Sequence, residues 1–163
     1  MLTNLKQSSA GFSLLEVVVV IVIIAILVAV AYPMYQNHVR ETRRADAKSA
    51  LVELAQLQER YYFRTPQDNT STNHQYATDF NTLKLEEGLS GFGEEEIDNN
   101  VLISREGYYQ INFDDTNSST KSFKFMAIPK EKGGQNNDNC KEFSIDNVGN
   151  KDSKSEPEGE KCW

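Results

Sequence analysis

Gly11-Phe12-Ser13-Leu14-Leu15-Glu16 opens a segment that continues through residues 17–32 without a charged side chain and reaches Pro33-Met34-Tyr35 before polarity returns. Across residues 12–35 only Ser13, Glu16 and Pro33 interrupt the apolar run, and a third of the chain's hydrophobic residues fall there. As a helix the stretch spans about 36 Å, enough for a hydrocarbon core of about 30 Å. Many of its residues are β-branched, yet a lone strand cannot satisfy its backbone in lipid, so the segment reads as a helix. A secretory signal peptide would have an apolar region of about 7–15 residues with a small-residue cleavage site beyond it. Here the prominent small residue, Gly11, lies on the near side, after a polar leader carrying Lys6.

Outside this block the chain is polar. It has 163 residues, 39% of them hydrophobic, with a formal net charge of −7, two cysteines and two histidines. That length suits one domain plus an appendage. The composition excludes an obligately basic nucleic-acid coat, a cysteine-rich zinc protein and a multi-pass transporter. The expected organisation is a leader at residues 1–11, a membrane helix at 12–35 and a polar head domain at 36–163.

Two signals bear on topology. Lys6 precedes the apolar segment while Arg40, Arg43, Arg44 and Lys48 follow it, so the positive-inside count alone would keep the head in the cytoplasm. Cys140 and Cys162 read as a disulfide, which belongs to an oxidising compartment. Long domains translocate largely regardless of charge, so the cysteines weigh more and the head is expected in the periplasm.

Glu16 is the residue on which function turns. A carboxylate inside a bilayer helix costs about 2.5–3.5 kcal/mol, so such a group is paired or functional unless it snorkels to the interface. Cleavage after Gly11 would make Phe12 the new N-terminus, its ammonium four residues before Glu16. In apolar surroundings the two charges attract with little screening. The pair can close within one helix or between neighbours, where Glu16 of one subunit would take the ammonium of the next.

These residues resemble the prepilin signature of type IV pilins and their secretion-system relatives. The resemblance implies a prepilin peptidase that cuts at Gly11–Phe12, N-methylation of Phe12, and Glu16 as the carboxylate of an assembly salt bridge. Further runs are similar to minor pilins of the PilE kind: Pro33 with Tyr35-Gln36-Asn37, Arg44-Ala45-Asp46-Ala47, Gln58-Glu59-Arg60-Tyr61-Tyr62, and the ending Cys140 to Cys162-Trp163. The partners implied are other pilin subunits, the prepilin peptidase, a pilus assembly platform and the membrane. The implied location is the bacterial inner membrane, then the pilus.

Pro33 removes a backbone donor and crowds the carbonyl of Ala29, predicting a kink or a loosened turn. Beyond it Ala47, Ala50, Leu54, Leu57 and Tyr61, with Leu51 beside them, recur at helical spacing, while Lys48, Glu53, Gln56, Gln58, Glu59 and Arg60 fall on the other faces. Residues 65–73 read as a turn, 76–85 as a short helix or tucked segment, and 88–100 as a loop with the acidic run Glu94-Glu95-Glu96. Alternation predicts strands at 107–113, 122–128 and 142–145. The fold class expected is α+β: a long N-terminal α-helix, half transmembrane and half amphipathic, on a small antiparallel sheet, as in type IV pilins. A Cys140–Cys162 bridge would pin the polar tail and Trp163 to that sheet.

Neither His38 nor His74 lies in a metal-ligand spacing, no phosphate-binding glycine loop occurs, and Gly88-Leu89-Ser90-Gly91-Phe92 lacks the second glycine of a nucleophile elbow. Asp146, Asp152, Glu156, Glu158 and Glu160 do not follow an EF-hand pattern. The chain reads as a substrate of enzymes rather than an enzyme, with no cofactor or metal. The leading reading is a minor pilin that enters or primes a type IV pilus and so supports motility, adhesion or DNA uptake. The alternatives are a type II secretion pseudopilin, a DNA-capturing pilin and a single-pass receptor. For DNA the candidate patch is Lys121, Lys124, Lys130 and Lys132. Loss of Lys6 with the leader takes the charge from −7 to about −8, which places nucleic acid last among the partners.

Overall fold

A computed structural model describes residues 12–64, 66–68, 71–87, 89–93 and 100–163. Its contacts separate a first unit ending at His38 from a second, Val39–Trp163. Helix α1 (Leu14–Arg64) starts where the carbonyl of Ser13 accepts the Val17 N–H, and it contains Pro33 without ending there. All residues from 12 to 35 are exposed, the apolar ones included. The leader, with Gly11, lies outside the described residues.

In the second unit α1 is amphipathic. Arg44, Ala47, Leu51, Leu54 and Gln58, spaced by three and four, are buried together with Ala50 and Leu57. A proline two residues past Arg64 suits the end of the helix. A two-stranded antiparallel hairpin follows, β1 (Pro66–Asp68) with β2 (Ser71–His74). Helix α2 (Phe80–Glu87) is capped by Asp79, whose carboxylate accepts the Thr82 N–H at 2.7 Å and the Thr82 hydroxyl at 2.8 Å.

Five antiparallel strands then run as a meander: β3 (Val101–Ile103), β4 (Tyr109–Phe113), β5 (Lys124–Pro129), β6 (Cys140–Asp146) and β7 (Lys151–Ser155), each beside its predecessor. A 3₁₀ helix, Lys132–Asn137, lies between β5 and β6. The register places Ile111, Ala127 and Phe143 in one row and Phe113, Phe125 and Ile145 in the next, all buried. Phe80 of α2 meets Phe113 and Phe125 at 4.5 and 5.7 Å between ring centroids, and Phe123 lies 5.1 Å from Phe125. This apolar face and the α1 stripe form one core.

The architecture is the α+β arrangement expected, and the three predicted strands fall on β4, β5 and β6. The sheet gains β3 and β7 beyond that expectation, and the β1–β2 hairpin, from Pro66 to His74, occupies most of the turn-rich 65–73 stretch and ends one residue past it. In the expected 88–100 loop, Leu89 and Phe92 are buried and Gly93 bridges to Ile103. Glu94-Glu95-Glu96 lies outside the described residues. Gln58, read as a solvent-facing residue, is fully buried: its side-chain amide donates to the Ala77 carbonyl at 2.8 Å and accepts the Ala77 N–H at 3.0 Å. It serves that tucked segment as a strand partner would.

Cys140 and Cys162 form a disulfide with Cα atoms 5.9 Å apart, closing a loop that spans β7. Replacing both with serine should lower stability by roughly 3 kcal/mol by the loop-closure model. Urea denaturation of the full chain in detergent measures this; an unchanged midpoint would mean that other contacts hold the tail.

Candidate functional site

Phe12 and Glu16 sit at the start of the first unit. Glu16, in the first turn of α1, shares one shallow, mostly apolar depression with Phe12, Val17, Val20 and Ile21. The N-terminal turn presents unpaired N–H groups, so a carboxylate there is favoured by the helix itself. Around it the exposed side chains are hydrocarbon, with Leu14 81% and Leu15 71% exposed. A contiguous apolar surface of this extent calls for lipid or a neighbouring protein to cover it.

In the second unit, charge concentrates at Arg44. Its guanidinium donates from Nε to Asp138 Oδ2 at 3.0 Å and from Nη2 to Asp138 Oδ1 at 2.6 Å, a two-point contact, and also to Glu160 Oε1 at 2.9 Å. Asp138 is 2% exposed, so this is an ion pair largely withdrawn from water. The hydrogen bond to Asp138 raises the Arg44 pKa against the opposing effect of burial, and the contact with Glu160 adds to it. Glu160 is held below the usual glutamate value by hydrogen bonds from Asn139 and then Arg44.

Gln135, fully buried, extends the cluster. Its amide nitrogen lies 2.9 Å from the Tyr109 hydroxyl, 3.0 Å from Asp138 Oδ2 and 3.1 Å from the Arg40 carbonyl. Burial raises the Tyr109 pKa. One guanidinium thus ties α1 to residues just before each cysteine of the disulfide.

Sequence reasoning counted Arg44 as a cation following the apolar segment and as part of the pilin-like run Arg44-Ala45-Asp46-Ala47, and gave it no place in the core. Its position was available in the same pattern that identified the core stripe, since 44, 47, 51 and 54 are successive members of one helical face. The four candidate lysines, by contrast, are not brought together. Lys121 and Lys124 lie at the start of β5, and Lys130 and Lys132 lie past its end at Pro129, roughly 17 Å farther along a strand of that length.

Lys124 Nζ is 3.8 Å from Asp114. Burial opposes ionisation of Asp114, but hydrogen bonds from Asn117 and Thr116 and the Lys124 charge outweigh it and lower its pKa. Lys132 meets Arg43 instead. Arg43 Cζ stands 4.3 Å from the centre of the Tyr108 ring and Lys132 Nζ 5.1 Å. Asp146 is occupied in its turn, accepting from Val148 N, Asn150 N and Asn150 Nδ2. Among the described residues no group of acidic, histidine or cysteine side chains is placed to hold a metal ion.

A helix apolar at its start, amphipathic beyond, and carried on an antiparallel meander is the architecture of a type IV pilin. The model of the family described as type IV minor pilin ComP, DNA uptake sequence receptor, matches residues 33–144, and that of the prokaryotic N-terminal methylation motif matches residues 6–32. The chain belongs to the ComP family of type IV minor pilins. No match was found among curated proteins. The methylation motif and the apolar helix fit a membrane-anchored pilin.

Arg44→Gln should destabilise the head domain by about 3–5 kcal/mol, because it leaves Asp138 buried without its partner. Denaturation of the full chain with the disulfide intact measures this, and Asp138→Asn in the Arg44→Gln background should recover part of the loss. Glu160 adds a pH dependence. Its lowered folded-state pKa contributes stability that is complete above the ordinary value of 4.5 and lost as pH falls through the folded value. Glu160→Gln should flatten that acidic limb of the stability–pH curve.

Proposed function

We propose that the chain is made as a prepilin, cut by a prepilin peptidase between Gly11 and Phe12, and N-methylated at Phe12. Residues 12–35 then hold it in the inner membrane with the head domain in the periplasm. An assembly platform transfers it into a type IV pilus, where it serves DNA uptake. The observation that carries this reading is the pair of family matches, the methylation motif over 6–32 running directly into the minor-pilin family over 33–144. Within the family description, DNA uptake takes precedence over the motility and adhesion also expected from sequence. It also favours a pilus over a secretion pseudopilus or a single-pass receptor.

Assembly follows from the physics of the first unit. Exposed apolar side chains from Phe12 to Tyr35 are stable in lipid or against the same segment of neighbouring subunits. Head-to-tail contacts that do not close generate a filament. Glu16 supplies register, since its carboxylate leaves lipid at least cost when a neighbour's Phe12 ammonium neutralises it. Pro33 lacks the N–H that would bind the Ala29 carbonyl, which makes that turn the place where the helix yields during transfer. The chain is the substrate of its processing enzymes and carries a structural role.

Two measurements test the proposal. Mass spectrometry of the mature protein should find an N-terminus at Phe12 bearing one extra methyl group; an intact Met1 would favour a receptor. Glu16→Ala should leave cleavage intact while reducing incorporation into sheared filaments by at least about tenfold, the equivalent of about 1.4 kcal/mol per subunit contact. Wild-type incorporation by Glu16→Ala would remove the salt bridge from the mechanism.

A further inference from the structure

Among the described residues, four cations of the second unit are matched by carboxylates, while Arg40 and Lys141 donate to the Gly134 and Asn136 carbonyls. Arg44 has Asp138 and Glu160, Arg105 has Glu53 at 2.6 Å, Lys154 has Glu142 at 2.7 Å and Lys124 faces Asp114. Arg43 and Lys132 combine a carbonyl with a shared aromatic ring. Arg43 Nη1 donates to the Gly133 carbonyl at 2.9 Å, and Lys132 Nζ donates to the Glu106 carbonyl at 2.6 Å. Both stand over the Tyr108 ring. Carbonyl oxygens and a π face fix a cation's position without cancelling its charge.

The backbone makes room for this. Gly133 has φ +60°, and a Cβ there would lie 2.5 Å from Arg43 Nη1; Gly107 has φ +77°, and a Cβ there would lie 2.9 Å from Lys132 Nζ. Two left-handed glycines on different loops therefore seat the two cations. A groove runs on from Arg43 and Tyr108 past Thr42, Ser49 and Arg105. It also includes Asp46, but that carboxylate is engaged, accepting the Ser104 hydroxyl at 2.6 Å and the Glu106 N–H at 3.2 Å. Glu106 also lines the groove, and Glu41 and Glu131 lie close to Arg43 and Lys132 in sequence; all three are exposed to water.

The geometry points to Arg43, Lys132 and Tyr108 as the place where this protein grips the phosphodiester backbone of DNA, with Arg43 and Lys132 on phosphates and Tyr108 holding the two cations at fixed spacing. The assignment rests on the DNA-uptake reading above and adds the site to it. Phosphate contacts of this kind position a duplex without reading its sequence. The contact is accordingly sequence-independent, and any base discrimination comes from other residues.

The test is fluorescence anisotropy of the full-length protein in detergent with a short labelled DNA duplex of mixed sequence, over a range of salt concentrations. Arg43→Gln with Lys132→Gln should weaken binding roughly tenfold near 0.1 M salt and reduce the slope of log affinity against log salt by about two. Arg43→Lys with Lys132→Arg should retain the slope. Gly133→Ala, which keeps both charges but displaces Arg43, should weaken binding several-fold. Lys121→Gln with Lys124→Gln serves as the control and should leave the slope nearly unchanged.

An unaltered salt slope in the Arg43/Lys132 variant, with loss in the control, would overturn the site and leave the DNA reading standing. No binding by the wild-type protein would overturn both. Loss of filament incorporation at normal DNA affinity would show instead that the cations meet an acidic surface of another subunit, which also overturns the proposal.

Discussion

Burying the Arg44 guanidinium is the constraint from which much of the head domain follows. A cation that is 9% exposed needs anionic partners, and the two available come from opposite ends of the disulfide loop: Asp138 just before Cys140 and Glu160 just before Cys162. Their convergence on α1 fixes where the tail returns. It also fixes the 3₁₀ segment, because Gln135 hydrogen-bonds to Asp138, to Tyr109 and to the Arg40 carbonyl. The disulfide and the ion pair are thus two restraints on one closed loop, covalent on one side and electrostatic on the other. Neither needs a large apolar area, which suits a stretch composed mainly of Asp, Asn, Lys, Glu and Gly.

The same restraint reaches the cationic groove indirectly. Residues 130–137 leave β5, turn through Gly133 and Gly134 in left-handed conformations, and enter β6 at Cys140. Because Gln135 and Asp138 are locked to α1, the Gly133 carbonyl arrives beside Arg43, one residue before Arg44 in the helix and so about 100° around it. Adjacent arginines consequently have opposite roles. Arg44 faces the core and is neutralised, while Arg43 faces outward and keeps its charge.

What could be read from sequence divides along physical lines. The helix over 12–35 is legible as an unbroken apolar run, and the amphipathic stripe and strands β4 to β6 carry apolar periodicity, which reports burial directly. β7 was illegible because Lys151-Asp152-Ser153-Lys154-Ser155 has no apolar member; it is an edge strand held by backbone bonds to β6, where charged side chains also discourage further pairing. β3, with three residues, is too short to show alternation. Gln58 was misplaced because its burial is satisfied by one backbone segment, Ala77, distant in sequence. The lysine patch failed for a similar reason. Lysines close in sequence were divided between the two ends of a strand, whereas Lys132 found Arg43, separated from it by 89 positions (132 − 43).

Net charge is a blunt guide to anion binding for a related reason. A formal charge of −7 describes the whole chain, but at physiological salt a phosphate senses charges only within a Debye length of about 8 Å. Within that range the decisive quantity is how each cation is held. An ion-paired lysine such as Lys154 presents little more than a dipole to an approaching anion, and hydrogen bonding to Glu142 raises its pKa without adding to the outward field. A cation resting on a carbonyl and an aromatic ring keeps its full charge and loses little side-chain entropy when a phosphate arrives, because its position is already set. An acidic pilin can therefore present a phosphate-binding surface without being basic overall.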